Sequence, residues 1–167
     1  TFPSVALAYR VIDENANQKF GPLNSLKLRA SYGTTGNTSV DPYQTQGSLT
    51  RTAYAFNNAG AFGFQGGSLP NASLQWERTA TWDGGADFGL LDGRLTGTVD
   101  YYRANTNDLL MDRQLPPSTC YSVITQNVGS TRNTGFEVAL TAITLDGWHG
   151  VHWTNDFTFS HNKNEIV

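Results

Sequence analysis

The pair Asp92-Gly93 constrains this chain most, because long runs of alternating polar and apolar residues flank it on both sides. A two-residue type I′ turn needs positive φ at both central positions, and Asp-Gly meets that need at low cost. With Leu91 opposite Arg94, one face pairs Leu90 with Leu95, Phe88 with Gly97, Ala86 with Val99, Gly84 with Tyr101 and Trp82 with Arg103. The other face pairs Asp87 with Thr98, Gly85 with Asp100 and Asp83 with Tyr102. One turn thus sorts both arms into an apolar and a polar side. Each arm runs to roughly 15 residues. Globular strands average about 5 to 6 residues, and a strand crossing a bilayer needs about 9 to 11.

The remaining strands follow the same rule. From Ser4 to Ile12, Val5, Leu7, Tyr9 and Val11 alternate with Ser4, Ala6, Ala8 and Arg10. From Ser25 to Thr34, Leu26, Leu28, Ala30 and Tyr32 oppose Lys27, Arg29, Ser31 and Gly33. Another strand begins near Asn133, with Phe136, Val138, Leu140 and Ala142 on one side and Glu137, Ala139 and Thr141 on the other. A second Asp-Gly, Asp146-Gly147, is expected to close a hairpin with Leu145 opposite Trp148, Leu140 opposite Trp153 and Phe136 opposite Phe157. That register sets Glu137 against Asp156, an unfavourable like-charge pair that a longer turn would avoid. The expectation is six long strands, joined by short connections at one end and by long loops, residues 35–73 and 111–132, at the other. A short hairpin is expected around Tyr43 to Phe56, the first loop being otherwise irregular.

Only 15% of the residues are charged, while Gly, Asn, Thr and aromatics abound, which suits strands more than helices. A net charge of −3 without a basic stripe gives no basis for nucleic-acid binding. The single cysteine, Cys120, excludes an internal disulfide. No run of 18 apolar residues supplies a membrane helix, and no signal peptide opens the chain. The missing signal peptide of an exported barrel places the true N-terminus upstream. His149 and His152 fall on opposite sides of a strand, so a shared metal would need a bend. No catalytic pair, nucleophile motif, phosphate loop, metal site or cofactor site is identified, and no enzyme is expected.

Four stretches in this order resemble a known pattern: LKLRASYGTTGN (26 to 37), the segment 70 to 110 around Asp92-Gly93, NVGSTRNTGFEVAL (127 to 140) and NDFTFSHNKNEIV (155 to 167). They are similar to the C-terminal barrel region of SusC/RagA-type TonB-dependent transporters of Bacteroidetes outer membranes. FPSVALAYR at the start also fits, so the resemblance covers nearly the whole chain. Cys120 departs from the Gly often found in the loop before NVG.

The resemblance implies an all-β, antiparallel, up-and-down transmembrane barrel of about 22 strands around a plug. It implies energy-coupled import of oligosaccharides or peptides across the outer membrane, with a SusD-like surface lipoprotein as lid and the TonB complex as motor. Residues 1–167 would then be one piece of the barrel domain, without plug, TonB box or barrel end. Tyr9, Tyr32, Trp82, Tyr101 and Trp153 would face outer-membrane lipid, while Lys27, Arg29, Asp83, Asp87, Asp100, Glu137 and Asp156 would face the lumen or plug. The loop aromatics Tyr43, Tyr54, Phe56, Phe62, Phe64 and Tyr121 would either contact the substrate or the lipoprotein, or pack the loops themselves. Two other readings stand beside this one. A soluble cell-surface β-sandwich that binds carbohydrate would gather its apolar faces into a core. A siderophore receptor would lack the lipoprotein partner.

Overall fold

The computed structural model describes residues 1–13, 21–37, 43–148 and 150–167. They divide into two compact units: Thr1–Thr35, Thr79–Asn105 and Thr131–Val167 form the first, and Gly36–Arg78 with Thr106–Ser130 form the second. The long strands are β1 (Ser4–Ile12), β2 (Leu23–Asn37), β5 (Glu77–Leu90), β6 (Leu95–Asn107), β9 (Thr131–Trp148) and β10 (Val151–Ile166). Two hairpins lie between them: β3 (Leu49–Phe56) with β4 (Ala59–Gly66), and β7 (Leu110–Gln114) with β8 (Val123–Asn127).

The six long strands form one sheet in the order β1-β2-β5-β6-β9-β10, each beside its neighbour among the long strands in sequence. This is the expected up-and-down arrangement, with β1 and β10 as edges. Alternation sets its faces. Val5 pairs with Tyr32, Leu7 with Ala30 and Tyr9 with Leu28, while Ala6 pairs with Ser31, Ala8 with Arg29 and Arg10 with Lys27. A bulge after Arg10 brings Ile12 opposite Leu26. The extra residue thereby returns an apolar side chain to the apolar face.

At the tip between β5 and β6, Asp92 and Gly93 both take positive φ, 54° and 80°, and Arg94 N–H bonds Leu91 C=O at 3.2 Å. That is the predicted type I′ turn. Leu91 also takes positive φ and sends its N–H sideways to Pro22 C=O at 2.9 Å. The buried Asn24 completes the clamp: its Nδ2 donates to Asp92 Oδ1 and its Oδ1 accepts from Asp92 N–H, both at 2.8 Å. Phe88 lies over Gly97 and the Asp100 carboxylate over Gly85, as the predicted register requires.

The second hairpin differs from its expectation. β9 runs through Asp146-Gly147, and the tip closes with Val151 opposite Trp148. Leu140 therefore faces Phe157 in place of Trp153, and Phe136 faces His161 in place of Phe157. Gly147, at φ 75°, lies in β9 just before the tip, and its C=O accepts from Gly150 N–H at 3.3 Å. Two further register slips lie between Val151 and Thr154. The physical reason is visible downstream: Glu137 now faces Ser160, and Asp156 faces Thr141, whose hydroxyl donates to the carboxylate at 2.7 Å. The like-charge pair disappears and a hydrogen bond replaces it.

Among the described residues Ile12 is the one buried hydrophobic side chain, while Leu7 is 74% exposed and Trp82 60%. Among the described residues the apolar sides are not gathered into a core, as a soluble sandwich would require. Among the described residues no helix is long and apolar enough to cross a membrane, which says nothing of crossing by strands.

Candidate functional site

In the first unit, the charged side chains of the polar face converge on Arg29. Its Nη2 donates to Asp87 Oδ1 at 2.9 Å and to Asp100 Oδ1 at 2.8 Å, and its Nε donates to Asp87 Oδ1 at 3.2 Å. Lys27 Nζ lies 3.8 Å from Asp87 Oδ2. Arg29 stands on β2 and Asp100 on β6, so the guanidinium reaches across β5. It can do so only because position 85 lacks a side chain: a Cβ there would sit 1.9 Å from Asp100 Oδ1. Two cations and two carboxylates thus form a neutral ladder across three strands. These groups are 24–42% exposed, so each pair contributes about 1 kcal/mol or less.

The other polar-face residues surround this ladder. Asp83 shares a shallow depression with Arg29, Ser31, Ala6 and Ala8. Glu137 lines another with Thr98, Asp100 and Ser160. The Tyr102 hydroxyl rests on Gly135, another position where a Cβ would collide. Lys27, Arg29, Asp87 and Asp100 are therefore brought together, whereas Asp156 is held separately by Thr141. Neither Gly85 nor Tyr102 was singled out by sequence reasoning for this network. A glycine opposite an aspartate was the available signal.

In the second unit the two loops are built, not irregular. β3 and β4 join through Asn57 and Asn58 at φ 51° and 56°, with Phe56 opposite Ala59. This tip is a two-residue turn in which asparagine tolerates left-handed backbone. The hairpin thus spans Leu49–Gly66, later than the Tyr43 to Phe56 expected. β8 is sewn to the first loop: Leu69 N–H bonds Val123 C=O at 2.8 Å, and Ser122 Oγ donates to Gly67 C=O at 2.8 Å. Asn127 acts as a substitute peptide, accepting from Gln75 N–H and donating to Gln75 C=O and Asp108 C=O, each at 2.8 Å.

The predicted loop aromatics separate into two groups. The Tyr121 ring packs against Gly66 inside this unit, where a Cβ would collide with it. Tyr43, Tyr54, Phe56, Phe62 and Phe64 are all exposed. Phe62 carries Arg51 over its ring at 3.8 Å, and Tyr54 meets Phe56 edge-on at 6.4 Å. Strand pairing puts Phe62 and Phe64 on one side of the hairpin and Tyr54 and Phe56 on the other. Rings on both sides of a two-stranded ribbon offer flat apolar platforms to a second molecule.

Among the described residues no three His, Cys, Asp or Glu side chains cluster for an ion. His149 lies outside the described residues, and His152 Nδ1 lies 2.9 Å from Asp146 Oδ1.

Residues 1–166 match the family model described as TonB dependent receptor-like, beta-barrel. The chain is 36% identical over 168 residues to TonB-dependent receptor P26 of Formosa agariphila, covering 99% of this chain and 17% of that protein. It is 36% identical over 179 residues to TonB-dependent receptor SusC of Bacteroides thetaiotaomicron, covering 100% of this chain and 17% of the relative. Among solved structures, the RagAB peptide transporter superposes with a TM-score of 0.83 at 30% identity, covering 99% of this chain and 18% of the other. The chain thus spans about a sixth of the length of the curated relatives it matches.

Proposed function

This chain belongs to the TonB-dependent receptor-like β-barrel family of the outer membrane, and from that premise we propose that it is a wall segment of a nutrient importer. The family is one of transporters and not of enzymes. The whole protein takes up oligosaccharides or peptides, drawing energy from the TonB complex and using a SusD-like surface lipoprotein as lid. The observation that carries this reading is the two-sided sheet. Its apolar side, with Leu7, Tyr9, Trp82, Tyr101 and Trp153 exposed, meets lipid hydrocarbon. Its other side, with Lys27, Arg29, Asp83, Asp87, Asp100, Glu137 and Asp156, lines the lumen against the plug. Closing such a sheet with further strands satisfies both edges, which lipid cannot do.

The exposed hairpin aromatics contact the incoming substrate or the lipoprotein. Replacing Phe56, Phe62 and Phe64 together by Ala in the full transporter is expected to lower uptake or to weaken lipoprotein co-purification by about tenfold, at roughly 0.5–1.5 kcal/mol per ring contact. Unchanged uptake of labelled oligosaccharide and peptide together with unchanged co-purification would overturn this role.

A further inference from the structure

The apolar side of the sheet changes character along its strands. Near the short-turn end the β9–β10 ladder pairs Leu140 with Phe157 and Val138 with Phe159. Next comes Phe136 opposite His161, with Thr134 opposite Lys163 and Arg132 opposite Glu165 beyond them. From β6 on the same side, Asn105 Oδ1 accepts from Arg132 Nε at 3.2 Å and from Arg103 Nε at 3.5 Å. Tyr101, two residues before Arg103, shares its side of β6 and is exposed. The long-loop end of this face therefore carries Arg103, Arg132 and Lys163 just past a band of rings.

The charges do not cancel. Lys163 pairs with Glu165, which also faces Arg132 across the strands and feels its charge, so one carboxylate serves two of the three cations, and Arg103 has no ion pair among the described residues. Both guanidiniums are drawn to one neutral amide oxygen, which leaves two like charges close together with Glu165 as the nearby carboxylate. An anion bridging them relieves that repulsion, and a phosphate offers guanidinium the paired acceptors that it binds best. Fatty chains attached to that phosphate would lie along Phe136, Phe159, Val138 and Phe157, which continue the same face.

We propose that Arg103, Arg132 and Lys163 form a binding site for the phosphate headgroup of an anionic outer-leaflet lipid. The site rests on the reading that this face meets lipid and that the long loops are extracellular. A lipid seated here would hold β6, β9 and β10 together from outside, as Arg29 does for β2, β5 and β6 from the other side.

The test uses the full transporter in detergent, analysed by native mass spectrometry with phosphatidylglycerol, phosphatidylcholine or inorganic phosphate added. Wild type is expected to retain phosphatidylglycerol over phosphatidylcholine. Arg103→Gln with Arg132→Gln is expected to reduce that retention by at least about tenfold, from roughly fivefold per cation near a charged surface. Lys163→Gln alone, the milder change, is expected to reduce it by about fivefold. Equal retention by wild type and by both variants would overturn the site. Displacement of the lipid by equimolar inorganic phosphate would also overturn it, because the site would then be one for a free anion. A bimane on Val99→Cys, in a Cys120→Ser background, reports the underlying orientation through quenching by brominated lipid. Quenching with unchanged lipid preference sinks the headgroup site alone, and absence of quenching sinks both readings.

Discussion

Gly85 shows how much a missing side chain can decide. The Arg29–Asp100 contact spans two strand spacings, and the carboxylate occupies the space a Cβ would need. Gly84, its neighbour, points to the other side, where a Cβ comes no closer than 4.0 Å to another residue. Gly85→Val is therefore expected to break the bridge and crowd the wall, costing about 1–3 kcal/mol. Gly84→Ala should be nearly silent. The midpoint temperature of heat-modified gel mobility for the full transporter measures both; equal shifts would mean that the bridge is not what Gly85 protects. The charges themselves were legible as one face of alternating strands. Their convergence on Arg29 was not, because alternation fixes which side a residue takes and says nothing of how far along the sheet a long side chain reaches.

Among the elements, the two Asp-Gly pairs had opposite fates. Asp92-Gly93 forms the turn because Asn24 and Pro22 of the neighbouring strand grip it from the side. Asp146-Gly147 is overridden, since cross-strand partners outweigh a local turn preference when the arms are 18 and 16 residues long. Leu140 pairs four residues later than the turn alone would dictate, with Phe157 instead of Trp153. Four is even, so from Thr154 onward the side chains kept their predicted faces although their partners changed. The loop hairpins were harder to see. In β3 and β4 both sides mix rings with Ala and Gly, as in Ala53 with Phe62 and Tyr54 with Ala61, so no polar-apolar contrast marks a strand. Asn127 ties these elements by three hydrogen bonds. Asn127→Ala is expected to loosen the loop unit by about 1–3 kcal/mol. Limited proteolysis should then cut near residues 75 and 108 several times faster, while cleavage in the long strands stays unchanged.

For the whole molecule, the fold class and the division of its sides followed from the alternation of six strands, and the family model and solved relatives agree with the fold class. A sheet with one buried hydrophobic side chain among its described residues has no interior of its own. Its stability as a sheet must come from what continues it at β1 and β10 and from the media on its two sides.

The slippage between β9 and β10 carries a rule for how such walls can change length. Because facing alternates residue by residue, material added at the 146–151 tip is harmless in pairs, whereas a single residue is tolerated only where a bulge like those between Val151 and Thr154 absorbs it. Inserting Asn-Gly after Gly147 should leave surface expression of the transporter near normal. Inserting one Gly there and forcing the downstream arm to slide would drive Phe157 and Phe159 into the water-filled interior, and quantitative immunoblotting of outer membranes should show the product lost. Evolution of these tips would then proceed by even steps.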